Sequence, residues 1–68
     1  MTIDEPSTLL LRARGEYLEM PGLRLTPWQA GRLWNIEPEQ SEHLLRLLVK
    51  SGFLWRNRQG AYLRRSSP

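Results

Sequence analysis

Cysteine is absent from the 68-residue chain, and histidine occurs only once. Without cysteine there can be no disulfide bond and no thiolate metal site to reinforce so small a domain, which is expected to be marginally stable. No apolar stretch is long enough to cross a membrane, and the first residues lack the basic start and apolar run of a signal peptide. A soluble, cytoplasmic protein is therefore expected.

A catalytic or metal-binding pattern is also missing. The single histidine, His43, has only Glu39 as a second potential ligand one helical turn away, and no pair of carboxylates accompanies a candidate nucleophile. A chain of this length leaves no room for a small-molecule effector pocket. The sequence therefore predicts recognition rather than catalysis, with no cofactor and no metal, and an enzyme is the least favoured class.

Acidic residues are missing from the last third of the chain. Up to Leu45 there are four basic and seven acidic residues, whereas from Arg46 onward there are six basic and no acidic ones. A purely basic end is typical of a surface that binds a polyanion such as DNA. The alternative is a solubilising tail, because most runs of charge are simply solvated surface.

Start and stop signals divide the chain into three helices. The first is expected from about Pro6 to Glu19, before a Pro-Gly pair, and Gly15 inside it suggests a bend or close packing. The second follows Thr26-Pro27, where the hydroxyl can cap and proline suits the first position, and ends near Trp34 and Asn35. The third begins at Glu37-Pro38 and stops before Gly52.

Short alternating or apolar stretches predict three strands, at residues 23–25, 53–56 and 61–64, with residues 57–60 as the turn between the last two. The expected order is helix, strand, helix, helix, strand, strand. This is a mainly α fold with a small β-hairpin, in one domain over residues 6–64, with flexible ends at residues 1–5 and 65–68.

Three stretches carry a family resemblance. Residues 25–31 (LTPWQAG) are similar to a Leu-Thr-x-x-Glu-Leu-Ala motif that leads into a second helix, and residues 34–36 (WNI) to a Leu-Gly-Leu turn. Residues 44–54 (LLRLLVKSGFL) are similar to a Leu-Leu-x-x-Leu-x-x-x-Gly-Leu-Ile passage from a third helix to a wing. On these motifs, residues 23–64 resemble the winged helix-turn-helix superfamily, particularly the DNA-binding modules of IclR-type and MarR-type transcriptional regulators.

The resemblance implies a bacterial-type regulator whose third helix enters the major groove of duplex DNA while the hairpin holds the backbone. The resemblance also explains the glycine at position 31, because two helices that cross over a short turn need a small residue where their backbones approach. Ile36 is expected to fill the space under that turn.

Departures from the family pattern concern the core and the charge. Trp34 stands in place of a smaller aliphatic residue and Ser41 in place of a more apolar one. Glu37, Glu39 and Glu42 make the start of the third helix acidic, and carboxylates there repel phosphate. A glutamate can nevertheless accept a hydrogen bond from cytosine N4.

Candidate DNA contacts fall into two groups. Gln40, His43 and Arg46 recur at a spacing of three and share an outward face of the third helix, where Gln can read adenine and Arg guanine. The alternative is an ordinary solvated polar face. With Glu39, these three are the base-contact candidates. The backbone candidates are Thr26, Gln29, Lys50, Arg56, Arg58 and Arg64.

Large apolar residues exceed what one small core can bury. Trp34, Phe53 and Tyr62 are expected in the core, whereas Trp28 and Trp55 are expected to be partly exposed. Three consecutive leucines at positions 9–11 cannot all face one domain, so one of them is expected to meet a second copy or a partner. The partner-interface candidates are Leu9, Leu11, Trp28 and Trp55.

Two functions therefore remain open. The leading one is sequence-specific binding of double-stranded DNA in transcriptional control. The other is a protein-interaction adaptor that uses Trp28, Trp55 and the acidic start of the third helix, because fold alone does not determine function.

Overall fold

Three helices and three strands alternate in the order that the sequence predicts. The computed structural model describes residues 6–65, with side chains from residue 8 onward; of the predicted flexible ends at residues 1–5 and 65–68, only Arg65 lies inside it. The elements are α1 (Pro6–Glu19), β1 (Arg24–Leu25), α2 (Pro27–Trp34), α3 (Pro38–Lys50), β2 (Leu54–Arg56) and β3 (Tyr62–Arg64). The fold is mainly α with a small antiparallel sheet, and it is compatible with a winged helix.

Strand boundaries differ slightly from expectation, since each strand begins one residue later than predicted. Beyond β3, Arg65 donates its backbone N–H to the Phe53 carbonyl at 3.0 Å, so pairing continues past the regular strands. None of the helices in the described part of the chain is long and apolar enough to span a bilayer.

The sheet has the order β1-β3-β2, with both pairs antiparallel. β1 pairs with β3 through Arg24 opposite Leu63, and β2 pairs with β3 through Trp55 opposite Leu63. Directly opposed residues point to the same side of a sheet, and successive residues alternate. Arg24, Leu63 and Trp55 therefore form one row on one side, which we call the outer sheet face, while Tyr62 points the other way into the core.

The core lies between the three helices and the inner side of the sheet. Its buried members come from every helix and every strand: Ala13, Tyr17, Leu25, Ala30, Trp34, Leu45, Leu48, Leu54 and Tyr62. Within it, the Tyr17 hydroxyl donates to the Tyr62 carbonyl at 2.8 Å, which ties α1 to β3. Burial raises the pKa of Tyr17 above its ordinary value, so this hydroxyl keeps its proton and remains a donor.

The junction of α2 and α3 is fixed by backbone geometry. Asn35 adopts the left-handed conformation (φ 59°, ψ 47°), as its position predicts. A Cβ atom on Gly31 would lie 2.8 Å from the Ile36 carbonyl oxygen, so only glycine fits without a shift. Ile36 is partly buried against the core, and Ser41, fully buried, donates its hydroxyl to the Glu37 carbonyl at 3.1 Å. The serine is thus accommodated by satisfying its own polar group.

The expected core position of Phe53 is wrong, and one of the two alternatives at Gly15 is excluded. Phe53 is only partly buried: it packs against the core from its edge, and two cations lie over its ring. The Arg14 and Arg64 guanidinium carbons lie 5.0 and 5.7 Å from its ring centroid. Close packing at Gly15 is also absent, since a Cβ there would meet no atom within 4 Å.

Candidate nucleic-acid interface

Helix α3 has one buried face and one exposed face. Ser41, Leu44, Leu45 and Leu48 are buried, at the spacing of an apolar helical stripe. Gln40, His43 and Arg46 are all exposed, so the structure places these base-contact candidates together on the opposite side. The outward face that the spacing of three predicts is therefore present.

The start of α3 uses one of these side chains for its own cap. Gln40 accepts a hydrogen bond through Oε1 from the backbone N–H of Glu37, at 3.4 Å. This leaves the Gln40 amide N–H groups as the part of the side chain that can reach outward. Glu39 is exposed in the first turn, where the helix dipole favours a negative charge.

An ion pair moderates the positive charge in the middle of α3. Arg46 Nε lies 3.6 Å from Glu42 Oε2, and the two side chains are 70% and 47% exposed. A pair this exposed contributes only about 0–1 kcal/mol to stability. Its consequence is electrostatic, because Glu42 offsets part of the charge that Arg46 would present to a polyanion.

A concavity of about 280 Å³ lies between the C-terminal half of α3 and the hairpin. We call it the α3–hairpin cleft. Its lining residues are Glu42, Arg46, Val49, Lys50, Arg56 and Tyr62. Arg56 faces the cleft because it is paired with Tyr62 and so points to the same side of the sheet. Three cations and one carboxylate thus converge here from two different elements.

The hairpin turn adds a fourth cation. Asn57 Oδ1 accepts from the backbone N–H groups of Gln59 and Ala61, both at 2.9 Å, and Gly60 has a φ of 83° that favours glycine. This network shapes the turn that carries the exposed Arg58 at its tip. The turn is therefore ordered by its own hydrogen bonds, and Arg58 projects from a defined position.

Arg64 is not brought into the cleft. It is half-buried and its guanidinium lies over the Phe53 ring, next to α1. Sequence reasoning missed this arrangement, in which Phe53 has Arg14 and Arg64 over its ring and the edge of Tyr17 at 6.3 Å. No local signal connects these positions, because they come from α1, the hairpin start and β3.

The two backbone candidates at the start of α2 form a capping box. Thr26 Oγ1 accepts from the Gln29 N–H at 3.2 Å, and Gln29 Oε1 accepts from the Thr26 N–H at 3.1 Å. Their acceptor oxygens therefore stabilise the helix start. The Thr26 hydroxyl hydrogen and the Gln29 amide hydrogens are the groups that could reach a phosphate.

The partner-interface candidates belong to three different elements, α1, α2 and β2. Leu11 is 68% exposed, Trp28 62% and Trp55 43%, whereas Leu9 is half-buried. Leu11 borders an apolar groove of about 690 Å³ between α1, α3 and the start of the hairpin. We call this the α1–α3 groove, and its lining residues are Leu10, Leu11, Arg14, Leu47, Leu48, Ser51, Gly52 and Phe53.

Clusters of three or more His, Cys, Asp or Glu side chains that could hold a metal do not occur among residues 6–65. A comparison with protein-family models, curated proteins and solved structures gives no significant match. The function is therefore inferred from the geometry and charge of this chain.

Proposed function

We propose that this protein is a winged helix-turn-helix DNA-binding protein that acts in transcriptional control. In this proposal α3 enters the major groove of duplex DNA, and the hairpin is the wing that holds the sugar-phosphate backbone. The α3–hairpin cleft is the observation that supports it most strongly, because Arg46, Lys50 and Arg56 converge there beside an exposed helix face.

The outward face of α3 would recognise the DNA sequence. Its amide, imidazole and guanidinium groups can form hydrogen bonds with base edges in the major groove. Because Gln40 Oε1 caps the helix, a bidentate contact to adenine requires that cap to open, whereas donation through its amide N–H does not. We therefore expect Gln40 to contribute to preference among sequences more than to overall affinity.

Backbone contacts would come from the cleft and from the hairpin turn. About four phosphates would be neutralised, one each by Arg46, Lys50, Arg56 and Arg58. Each neutralised phosphate contributes roughly −0.9 to the slope of the logarithm of the binding constant against the logarithm of the salt concentration. Glu39 and Glu42 act in the opposite direction, since both lie on the same helix as the cations and would stand close to phosphates. We therefore expect the protein to bind DNA with modest affinity, because its acidic residues reduce non-specific binding.

A salt titration of the intact protein on random-sequence duplex DNA tests this proposal. Between about 50 and 200 mM salt we expect a log–log slope of about −3 to −4, measured by fluorescence anisotropy of a labelled duplex. A slope close to zero, or affinity too weak to measure at the lower salt concentration, would contradict DNA binding.

Exposed tryptophan supports the second candidate, a protein-interaction adaptor. Trp28 is 62% exposed on α2, and Leu33 on the same helix is 45% exposed, so α2 presents apolar area to solvent. Surface tryptophan is a frequent anchor of protein interfaces. An adaptor would use the glutamates of α3 to pair with a basic partner, so their removal would weaken that complex instead of strengthening DNA binding.

A further inference from the structure

The outer sheet face has a composition that differs from the rest of the exposed surface. It consists of Arg24, Leu63 and Trp55 side by side across three strands. Trp55 is 43% exposed, Arg24 is exposed and Leu63 is half-buried, so a flat apolar strip with a cation at one end faces solvent.

The charge on this strip has a single sign. Arg24 is the strand arginine on this side, because Arg56 and Arg64 are paired with Tyr62 and Leu54 and point to the other side of the sheet. The exposed Arg65 follows β3, and the three strands contain no acidic residue. A partner of complementary chemistry is therefore anionic and also carries flat apolar faces. Unpaired nucleotides combine these two properties, because each has a phosphate and a base that can stack on an aromatic ring.

Strand geometry relates this strip to the α3–hairpin cleft. Trp55 and Arg56 are neighbours in β2 and point to opposite sides of the sheet. Arg56 lines the cleft, so a duplex held there would have Trp55 on the far side of the hairpin. β2 is also an edge strand, so no further strand separates Trp55 from the hairpin margin.

We propose that the outer sheet face is a stacking site for unpaired DNA bases, with Trp55 as the platform and Arg24 as a phosphate contact. The hairpin then lies between a duplex on its Arg56 side and a single strand on its Trp55 side. The preferred ligand is a duplex with a single-stranded extension. This inference rests on the proposed DNA-binding function, which it makes more specific.

Tryptophan fluorescence gives a direct test, because the three tryptophans differ in exposure. Trp34 is buried, and Trp28→Phe removes the other exposed indole, so Trp55 becomes the tryptophan that can report a ligand. The ligands are a blunt duplex, the same duplex with an overhang of about 12 nucleotides of thymidine, and that overhang alone. We expect the two ligands with unpaired bases to quench the emission more strongly than the blunt duplex.

Affinity measurements on substituted proteins complete the test. In the Trp28→Phe background, Trp55→Leu keeps an apolar side chain but removes the ring, and it should weaken overhang binding by about 5- to 150-fold. Binding to the blunt duplex should not change. Trp55→Tyr retains a stacking ring and should restore most of the overhang affinity. Circular dichroism melts of each variant establish that the fold is intact.

Several outcomes would overturn the inference. Unchanged overhang affinity in Trp55→Leu would exclude stacking, and equal losses on blunt and overhanging duplexes would make Trp55 part of the duplex contact instead. No quenching by any DNA would contradict the stacking site. Quenching by the single strand in a protein with no duplex affinity would support the stacking site while contradicting the proposed function.

Discussion

A Cβ atom added to Gly31 in α2 would come within 2.8 Å of a backbone oxygen, whereas one added to Gly15 in α1 would meet nothing within 4 Å. The first glycine lies where α2 and α3 cross, and the second lies on a helix with open space beside it. The α2–α3 unit is therefore packed at backbone contact, which fixes the direction of the outward face of α3. Helix α1 leaves apolar side chains exposed instead.

The difference indicates which parts of the molecule tolerate change. Where backbones touch, a single methyl group must move a helix, and the surface that α3 presents would move with it. Leu11 and Leu18 of α1 are both about half exposed or more. Substitution of such a side chain leaves the fold in place, because no backbone packs against it.

The largest effect is expected at the end of α2. Trp34 is 3% exposed, and Trp34→Ala should cost about 3–5 kcal/mol. Because a domain this small has a total stability near the low end of about 5–15 kcal/mol, the variant should be largely unfolded by circular dichroism. A cooperative melt close to that of the wild type would show that Trp34 does not support the core.

Trp34→Phe is the matched control. The Trp34 Nε1–H is buried and has no hydrogen-bond partner among the described residues, so losing it removes an unsatisfied donor while most of the ring remains. Because the smaller phenyl ring leaves part of the indole site empty, we expect a cost below that of Trp34→Ala, measured by urea denaturation.

Gly31→Ala should have the next largest effect. The new methyl group would clash with the Ile36 carbonyl and approach Ser41 Oγ to 3.1 Å, so the helices must separate, at a cost of about 1–3 kcal/mol. Urea denaturation measures it, and an unchanged midpoint would mean that the α2–α3 crossing is looser than described.

Gly15→Ala should have the opposite sign. The position is helical, has space for a Cβ, and pays the entropic penalty of glycine in a helix. We expect stabilisation of about 0.5–1 kcal/mol in the same denaturation experiment. Destabilisation would reveal a contact at this position and remove the contrast with Gly31.

Leu11→Gln should leave the stability of the monomer, measured at a concentration too low for two copies to associate, within about 0.5 kcal/mol of the wild type, because the side chain is exposed. We propose that Leu11 and the α1–α3 groove join two copies of the chain, as DNA-binding domains that recognise two half-sites require. Sedimentation at micromolar concentration should show a dimer for the wild type and a monomer for Leu11→Gln. A wild-type protein that is monomeric both free and on DNA would contradict this assembly.

Elements with a chemical start or stop signal could be predicted from the sequence. Thr26-Pro27 locates the start of α2, Asn35 its end and Gly52 the end of α3, because capping and left-handed conformations depend on local residue chemistry. The outward face of α3 follows from spacing alone. The predicted core was also largely confirmed, at Trp34 and Tyr62.

Contacts between distant elements could not be predicted. The Tyr17–Tyr62 hydrogen bond joins residues 45 positions apart, and the pairing of β1 with β3 depends on where α2 and α3 return the chain. The position of Arg64 could not be predicted for the same reason. In the sequence it is one of several basic hairpin residues, but in the structure its guanidinium lies over the Phe53 ring. Arg56 enters the cleft only because of its register opposite Tyr62.

On the proposed interface, the acidic residues of α3 and the basic residues of the wing have opposite effects on DNA binding. Four double variants test it: Glu39→Gln with Glu42→Gln, Arg56→Ala with Arg58→Ala, and two controls of matched charge. The controls are Glu16→Gln with Glu19→Gln on α1, and Arg12→Ala with Arg32→Ala on α1 and α2. All four pairs are compared with the wild type on one random-sequence duplex at two salt concentrations.

We expect the α3 glutamine pair to bind more tightly than the wild type, because Arg46 is then released from Glu42. The wing alanine pair should bind more weakly, with a salt slope flatter by about 1.8 for two lost contacts. Each control should change affinity less than the variant of the same charge change. Equal effects of the variants and their controls would mean that net charge alone governs binding, and no effect of any pair would contradict the proposed interface.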